Sequence, residues 1–256
     1  MKTTISKIKS MKGKEKITML TAYDYSTAKY TDEAGIDIIL IGDSLGMVVL
    51  GYDSTLSVTM DDMIRHTGAV SRGASNALIV ADLSAGSYDD NETAALNAES
   101  LIKSGADCVK IENKPEIAKF LVENNIEVMG HIGLTPQTVT DFKVQGKDEE
   151  TAAKLIKLAK ECEAAGCFSL VLECVPMQLA KKITESISIP TIGIGAGTYC
   201  DGQVLVVNDM LGLYDKFSPK FVKKYAHLAE DMKKAFENYI REVRGGKFPE
   251  DKHSFH

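Results

Sequence analysis

A single (β/α)8 barrel is the fold this sequence predicts, and three observations predict it. Short apolar runs alternate with helical stretches about eight times, the pattern of parallel strands joined by crossover helices. The length of 256 residues matches one barrel of this kind, and no internal repeat or composition shift marks a linker. Four apolar runs then stop at acids: residues 36–41 lead to Asp43, 77–81 to Asp82, 108–111 to Glu112 and 169–172 to Glu173. An unpaired charge at the end of a buried strand is costly, so acids repeated there point to a shared site. A doubly wound open sheet is the alternative. Its first strand would need a Gly-rich turn that is absent, and Gly193-Ile194-Gly195-Ala196-Gly197 has the wrong spacing for a dinucleotide fingerprint.

The expected domain covers residues 1–256, with a short basic N-terminal arm and a C-terminal helix plus tail. Lys2, Lys7, Lys9, Lys12, Lys14 and Lys16 lie among Ser and Gly with no apolar segment beside them, which predicts a solvated arm and no secretory signal. Residues 17–21 are the first strand. Asp24 is placed to cap a helix that runs to Ala34 and stops at Gly35. Residues 36–41 are apolar apart from Asp37, as suits a strand covered on both faces. Residues 45–58 read as a long loop. Thr59 caps the next helix, with Asp61 and Asp62 favourably placed in its first turn, and the chain then reaches the strand ending at Asp82.

Asn91 is expected to cap a helix closed by Gly105, ahead of the strand to Glu112. A short helix over 115–123 precedes a fifth strand, 126–129, ending in Gly130-His131. The polar segment 133–147 reads as a loop, and 149–165 as an amphipathic helix closed by Gly166. The strand to Glu173, a helix over 176–186 and strands over 189–194 and 203–207 complete the barrel. From Pro219 onward Phe221, Tyr225, Leu228, Met232, Phe236, Tyr239 and Val243 advance by steps of three or four. That spacing predicts one long helix with its apolar stripe turned to a core.

Composition excludes several classes of function. A net charge of −6 argues against nucleic acid, and no apolar run reaches the ~18–20 residues of a membrane span, so a cytoplasmic protein is expected. The five cysteines are odd in number and contain no Cys-x-x-Cys pair, which speaks against a disulfide framework and a zinc site. Cys174 follows Glu173, yet no Cys–His logic surrounds it; such a cysteine is usually a small buried hydrophobe.

In a barrel, Asp43, Asp82, Glu112, His131 and Glu173 all fall at C-terminal strand ends, the face that carries active sites. Each acid alone could be a helix cap and His131 alone a core histidine; together with Lys110 they form a constellation. Several acids without a Cys or His cluster favour a hard cation such as Mg²⁺, which leaves room for substrate oxygens. Lys110 and Glu112 are two apart, so both face one side of their strand. Lys110 could hold a carboxylate or an enolate oxygen. It could also be a Schiff-base lysine, which neighbouring acids disfavour because they keep it charged. Glu173, closing an apolar strand, suits a general base for a carbon acid. The residues thus point to metal-assisted chemistry on a small anionic substrate, with an enolate as the leading reading.

The segments IGDSLGMVVLGYDSTLSVT, VADL (80–83), VKIE (109–112), GHIGLTPQ (130–137), VLECVP (171–176) and IPTIGIGAG (189–197) resemble the 3-methyl-2-oxobutanoate hydroxymethyltransferase family. The likeness runs from TAYDYSTAK at Thr21 to HSF at His253. It implies transfer of a one-carbon unit from 5,10-methylenetetrahydrofolate to 3-methyl-2-oxobutanoate, giving 2-dehydropantoate for pantothenate synthesis. It further implies Mg²⁺ on Asp43 and Asp82, with Glu112 direct or through water. Substrate contacts fall on Asp43, Ser44, Asp82 and Lys110, and the proton acceptor on Glu173; His131 is left as a supporting group or an alternative base. Family members in bacteria are typically homodecamers. Two departures stand out: Ser84 and Ala85 replace the usual Pro and Phe, and the loop 138–146 is a few residues short, lacking the Gly-Gly before Phe142. Both bear on folate affinity. The rival readings are a Mg²⁺-dependent C–C lyase acting on a 2-oxo or 2-hydroxy acid without folate, and a catalytically silent barrel used as a scaffold.

Overall fold

The structure, a computed structural model, describes residues 2–138 and 143–256. The strands are β1 (Ile17–Thr21), β2 (Ile38–Ile41), β3 (Leu78–Asp82), β4 (Cys108–Glu112), β5 (Val128–Gly133), β6 (Ser169–Glu173), β7 (Thr191–Ile194) and β8 (Gly202–Leu205). They pair in chain order, each parallel to the next, and β8 closes on β1. The helices are α1 (Ile5–Met11), α2 (Tyr25–Glu33), α3 (Leu45–Val48), α4 (Met60–Gly73), α5 (Asn91–Lys103), α6 (Pro115–Glu123), α7 (Glu149–Ala164), α8 (Met177–Ser186), α9 (Val207–Met210) and α10 (Leu228–Arg244). This is the (β/α)8 barrel the sequence predicts.

Caps set where the crossover helices begin. Asp24, Thr59 and Asp148 each accept a backbone N–H at the start of α2, α4 and α7. Thr59 and Asp62 form a reciprocal capping box. The α5 cap is Asp90, one residue before the expected Asn91, because the Asp90 carboxylate takes the Thr93 N–H.

Side chains of alternate residues point to opposite faces of a strand. The barrel interior is filled by Ile17 and Met19 of β1, Ile38 and Leu40 of β2, Leu78 and Val80 of β3, Cys108 of β4, Met129 of β5 and Val171 of β6. Moving two residues further along the same parity reaches Asp82 on β3, Lys110 and then Glu112 on β4, His131 on β5 and Glu173 on β6. The apolar filling and the charged rim are therefore one inward-facing column, apolar below and polar above.

Several expectations change. Residues 5–11 are a helix and not a solvated arm: Ile8 and Met11 are buried in the core cluster beside Ile17, while the lysines face outward. Two apolar residues three apart on one helical turn outweigh the lysines around them. The loop 45–58 contains α3 and a 3₁₀ turn, Thr55–Ser57. β5 continues to Gly133, so His131 lies within the strand, paired with Glu112 and Val171. Part of the predicted 133–147 loop, including Phe142, lies outside the described residues.

The chain divides into two compact units, Met1–Val206 and Val207–His256. The first holds all eight strands. In the second, α10 starts at Leu228, nine residues after Pro219, so Phe221 and Tyr225 precede the helix. Its stripe does not face a core: Met232, Phe236, Tyr239 and Val243 are exposed.

Candidate active site

Every rim residue expected from the sequence lies in one connected cluster. Lys110 Nζ is 3.0 Å from Asp82 Oδ1 and 3.4 Å from His131 Nδ1. His131 Nδ1 is 3.1 Å from Glu112 Oε1, and its Nε2 is 3.2 Å from Glu173 Oε2. Asp43 sits just beyond β2, where its backbone N–H donates to Asp82 Oδ2 at 3.1 Å. Ser44 follows, its hydroxyl 2.8 Å from the Tyr23 hydroxyl.

The chain turns sharply after two of these acids. Asn113 and Cys174, next to Glu112 and Glu173, have left-handed backbones with φ of 53° and 49°. Asn tolerates this region and Cys does so only at a cost, so the turn after Glu173 holds that carboxylate at the strand end under strain. Gly133, φ 102°, lies against the same turn: a Cβ there would stand 2.3 Å from the Glu173 carbonyl oxygen.

Burial sets the electrostatics. Asp43, Asp82, Lys110, Glu112 and His131 are all buried, whereas the Glu173 side chain keeps 18% exposure. Burial, then repulsion from Asp82, pushes the Asp43 carboxyl up to about 8 despite Lys110. Burial also raises Asp82. Glu112 goes the other way, because His131 and Lys110 overcome its burial. Burial and Lys110 act to lower His131, but Glu112 and Glu173 outweigh them and raise it to about 9. Lys110 keeps its proton well above neutral pH: three acids outweigh its burial. Burial, with Glu173 adjacent, lifts the Cys174 thiol to about 12, which leaves it protonated and unsuited to nucleophilic attack.

Four carboxyl groups crowd around two cations, Lys110 and protonated His131, and a divalent ion would relieve the repulsion that helps to hold the Asp43 carboxyl at about 8. Among the described residues, buried Asp82 Oδ1 has no geometrically defined hydrogen bond and lies 3.0 Å from the Lys110 ammonium. Oxygen donors of this kind fit a hard cation such as Mg²⁺. The fit is clearest for Asp43 and Asp82. Both Glu112 oxygens are engaged, one by His131 and one by the Gln137 N–H at 3.2 Å, and among the described residues no three His, Cys, Asp or Glu groups form a finished cage.

Sequence reasoning assigned no role to Tyr23, Tyr88 or Gln137. Gln137 stands in the loop after β5, and its Nε2 donates to Asp43 Oδ2 and to the Leu83 carbonyl, each at 2.8 Å. Tyr88 donates its hydroxyl to Gln137 Oε1 and accepts from the Glu112 N–H at 3.3 Å. Tyr88 is buried, and its hydroxyl joins Gln137 to the Glu112 backbone. The signal available was the position of Gln137 at the end of GHIGLTPQ.

The profile of the ketopantoate hydroxymethyltransferase family matches residues 2–251. The chain belongs to that family. It is 57% identical over 263 aligned positions to the 3-methyl-2-oxobutanoate hydroxymethyltransferase of Syntrophus aciditrophicus strain SB, covering 99% of this chain and 97% of the relative. The enzyme of the same name from Enterococcus faecalis strain V583 is 59% identical, covering 94% and 90%. In fold, this chain is similar to phosphoenolpyruvate phosphomutase from Streptomyces platensis subsp. rosaceus, with a TM-score of 0.64, 11% identity, and 98% and 92% of the two chains covered. Among the described residues no helix is long and apolar enough to cross a membrane.

Proposed function

We propose that the chain is a hydroxymethyltransferase that converts 3-methyl-2-oxobutanoate, 5,10-methylenetetrahydrofolate and water to 2-dehydropantoate and tetrahydrofolate, in pantothenate synthesis. Family membership supports the reaction. The observation that supports the assignment of roles is the unequal environment of the four rim acids. Asp43, Asp82 and Glu112 are buried among cations and donors, while Glu173 alone keeps an exposed edge.

In this reading Asp43 and Asp82 would hold Mg²⁺, with Glu112, its oxygens engaged by His131 and the Gln137 N–H, as a supporting acid. The ion, when bound, supplies a Lewis acid for the keto oxygen of the substrate. Lys110 adds positive charge beside that oxygen, and the Ser44 hydroxyl, oriented by Tyr23, is placed for the substrate carboxylate. Glu173 takes the proton from C3. His131 cannot serve as the base at neutral pH, because a group with a pKa of about 9 already carries its proton; its Nε2, 3.2 Å from Glu173 Oε2, aims that carboxylate instead. The carbanion electrons then form the new C–C bond to the methylene carbon of the folate donor, whose C–N bonds break as water supplies the hydroxyl oxygen.

A cytoplasmic location fits such a biosynthetic step. The exposed apolar residues of α10 support assembly as a homo-oligomer, a decamer by resemblance to the family. Incubation with both substrates and Mg²⁺, followed by mass analysis, tests the reading: the hydroxymethylated acid should form, and EDTA should stop it. Product formation without the folate donor, or cleavage of the 2-oxo acid, would refute it.

A further inference from the structure

Gln137 makes polar contacts at three of the strand ends that carry the rim, yet it carries no charge. Both hydrogens of its side-chain amide are used, one on Asp43 Oδ2 and one on the Leu83 carbonyl, the residue after Asp82. Its Oε1 takes the Tyr88 hydroxyl proton, and its backbone N–H is on Glu112 Oε2. One residue therefore touches the ends of β2, β3 and β4 at the three points where the cation-binding acids lie.

The direction of the amide is fixed by this set. Rotating it by half a turn would set its oxygen against the Asp43 carboxylate and the Leu83 carbonyl, and its NH₂ against the Tyr88 hydroxyl. Three donor–acceptor pairs would be disrupted at once. Tyr88 is anchored in turn by the Glu112 N–H, and the Lys114 ammonium lies 4.9 Å over its ring. The bond from Gln137 occupies Asp43 Oδ2 and leaves Oδ1 for a ligand. A neutral donor is what this position requires, since a lysine would neutralise Asp43 and compete with a cation, and a glutamate would repel the carboxylate.

We propose that Gln137, oriented by Tyr88, is the positioning residue that holds Asp43 in the rotamer that binds the divalent cation. This rests on the reading of Asp43 and Asp82 as the cation's ligands. Groups that orient metal ligands typically govern affinity by about 10–100-fold.

The test is Mn²⁺ binding to the EDTA-treated full-length protein, followed by electron paramagnetic resonance without substrates, with circular dichroism as the check on folding. Gln137→Met removes both side-chain bonds to the rim and should weaken Mn²⁺ binding by about 10–100-fold with an unchanged circular dichroism spectrum. Tyr88→Phe removes one of the three pairs that fix the amide and should weaken binding by a smaller factor. It carries the test if Gln137→Met does not fold. Wild-type Mn²⁺ affinity in the folded variants, with binding lost in Asp82→Asn, would overturn the role of Gln137 alone. Failure of the wild-type protein to bind Mn²⁺ would overturn it together with the cation reading beneath it.

Discussion

Asp43 is the residue through which the site weakens the fold, and Asp43→Asn should reveal by how much. With its carboxyl at about 8 in the folded protein and about 3.9 in the unfolded chain, unfolding releases a proton at any pH between those values. A folded pKa raised above the unfolded one means that the native state binds more protons. Stability therefore falls as pH rises through that window, by ~1.4 kcal/mol per pH unit. Between pH 5 and pH 7 the metal-free protein should lose ~2.7 kcal/mol through this one group. His131 adds a loss of the same sign at higher pH: its folded value of about 9 confers stability that is complete below its unfolded value and fades as pH climbs toward 9. The difference between wild type and Asp43→Asn isolates the aspartate. Urea denaturation in EDTA at pH 5, 6 and 7 should show the variant gaining on the wild type at each step, reaching ~4 kcal/mol at pH 7. Saturating Mg²⁺ should narrow the gap by stabilising only the wild type. A constant difference across the three pH values would refute the account of Asp43 as a carboxylate buried against its ionisation.

Other residues give independent outcomes. Glu173→Gln should keep Mg²⁺ binding but slow exchange of the substrate C3 proton with deuterated water by ~10²–10⁴-fold, followed by proton NMR without folate; exchange at the wild-type rate would remove Glu173 as the base. Borohydride added with 3-methyl-2-oxobutanoate should leave the protein mass unchanged, since the Lys110 amine stays protonated beside Asp82, and a trapped adduct would favour imine chemistry. Gly133→Ala should cost about 2–3 kcal/mol in chemical denaturation, because the residue needs φ of 102° and its Cβ would meet the Glu173 carbonyl. A neutral result would mean that β5 and the turn after Glu173 can shift apart without loss.

The barrel was legible because its strands are buried on both faces and end abruptly, and the rim because charge after an apolar run is rarely incidental. Asp82, Glu112 and Glu173 could be read from the ends of their apolar runs, and Lys110 from its strand parity with Glu112. His131 was harder, because β5 continues beyond Gly130 through His131 and Ile132 to Gly133, past the point where its apolar run gives out. Gln137 was hidden for a physical reason. Its importance comes from partners on β4 and in the segments after β2 and β3, and no periodicity records contacts that distant in sequence. The first helix was missed because its lysines dominate the composition, although Ile8 and Met11 alone carry its packing. At the other end, the stripe of α10 was legible, but whether such a stripe meets a core is decided by tertiary structure.

The filled lower barrel has a kinetic corollary. Ile8 and Met11 of α1 join Ile17, Ile38 and Val80 in closing the interior from below, so reactants approach the rim from the C-terminal mouth. Two substrates sharing one door must queue. In the proposed reaction the small 2-oxo acid, bound at Lys110 and the buried aspartates, would have to enter before a bulky donor covered it, and the product formed from it would have to leave last. Initial rates should accordingly obey an ordered sequential law, with 2-dehydropantoate competing against 3-methyl-2-oxobutanoate for the empty enzyme and tetrahydrofolate failing to do so.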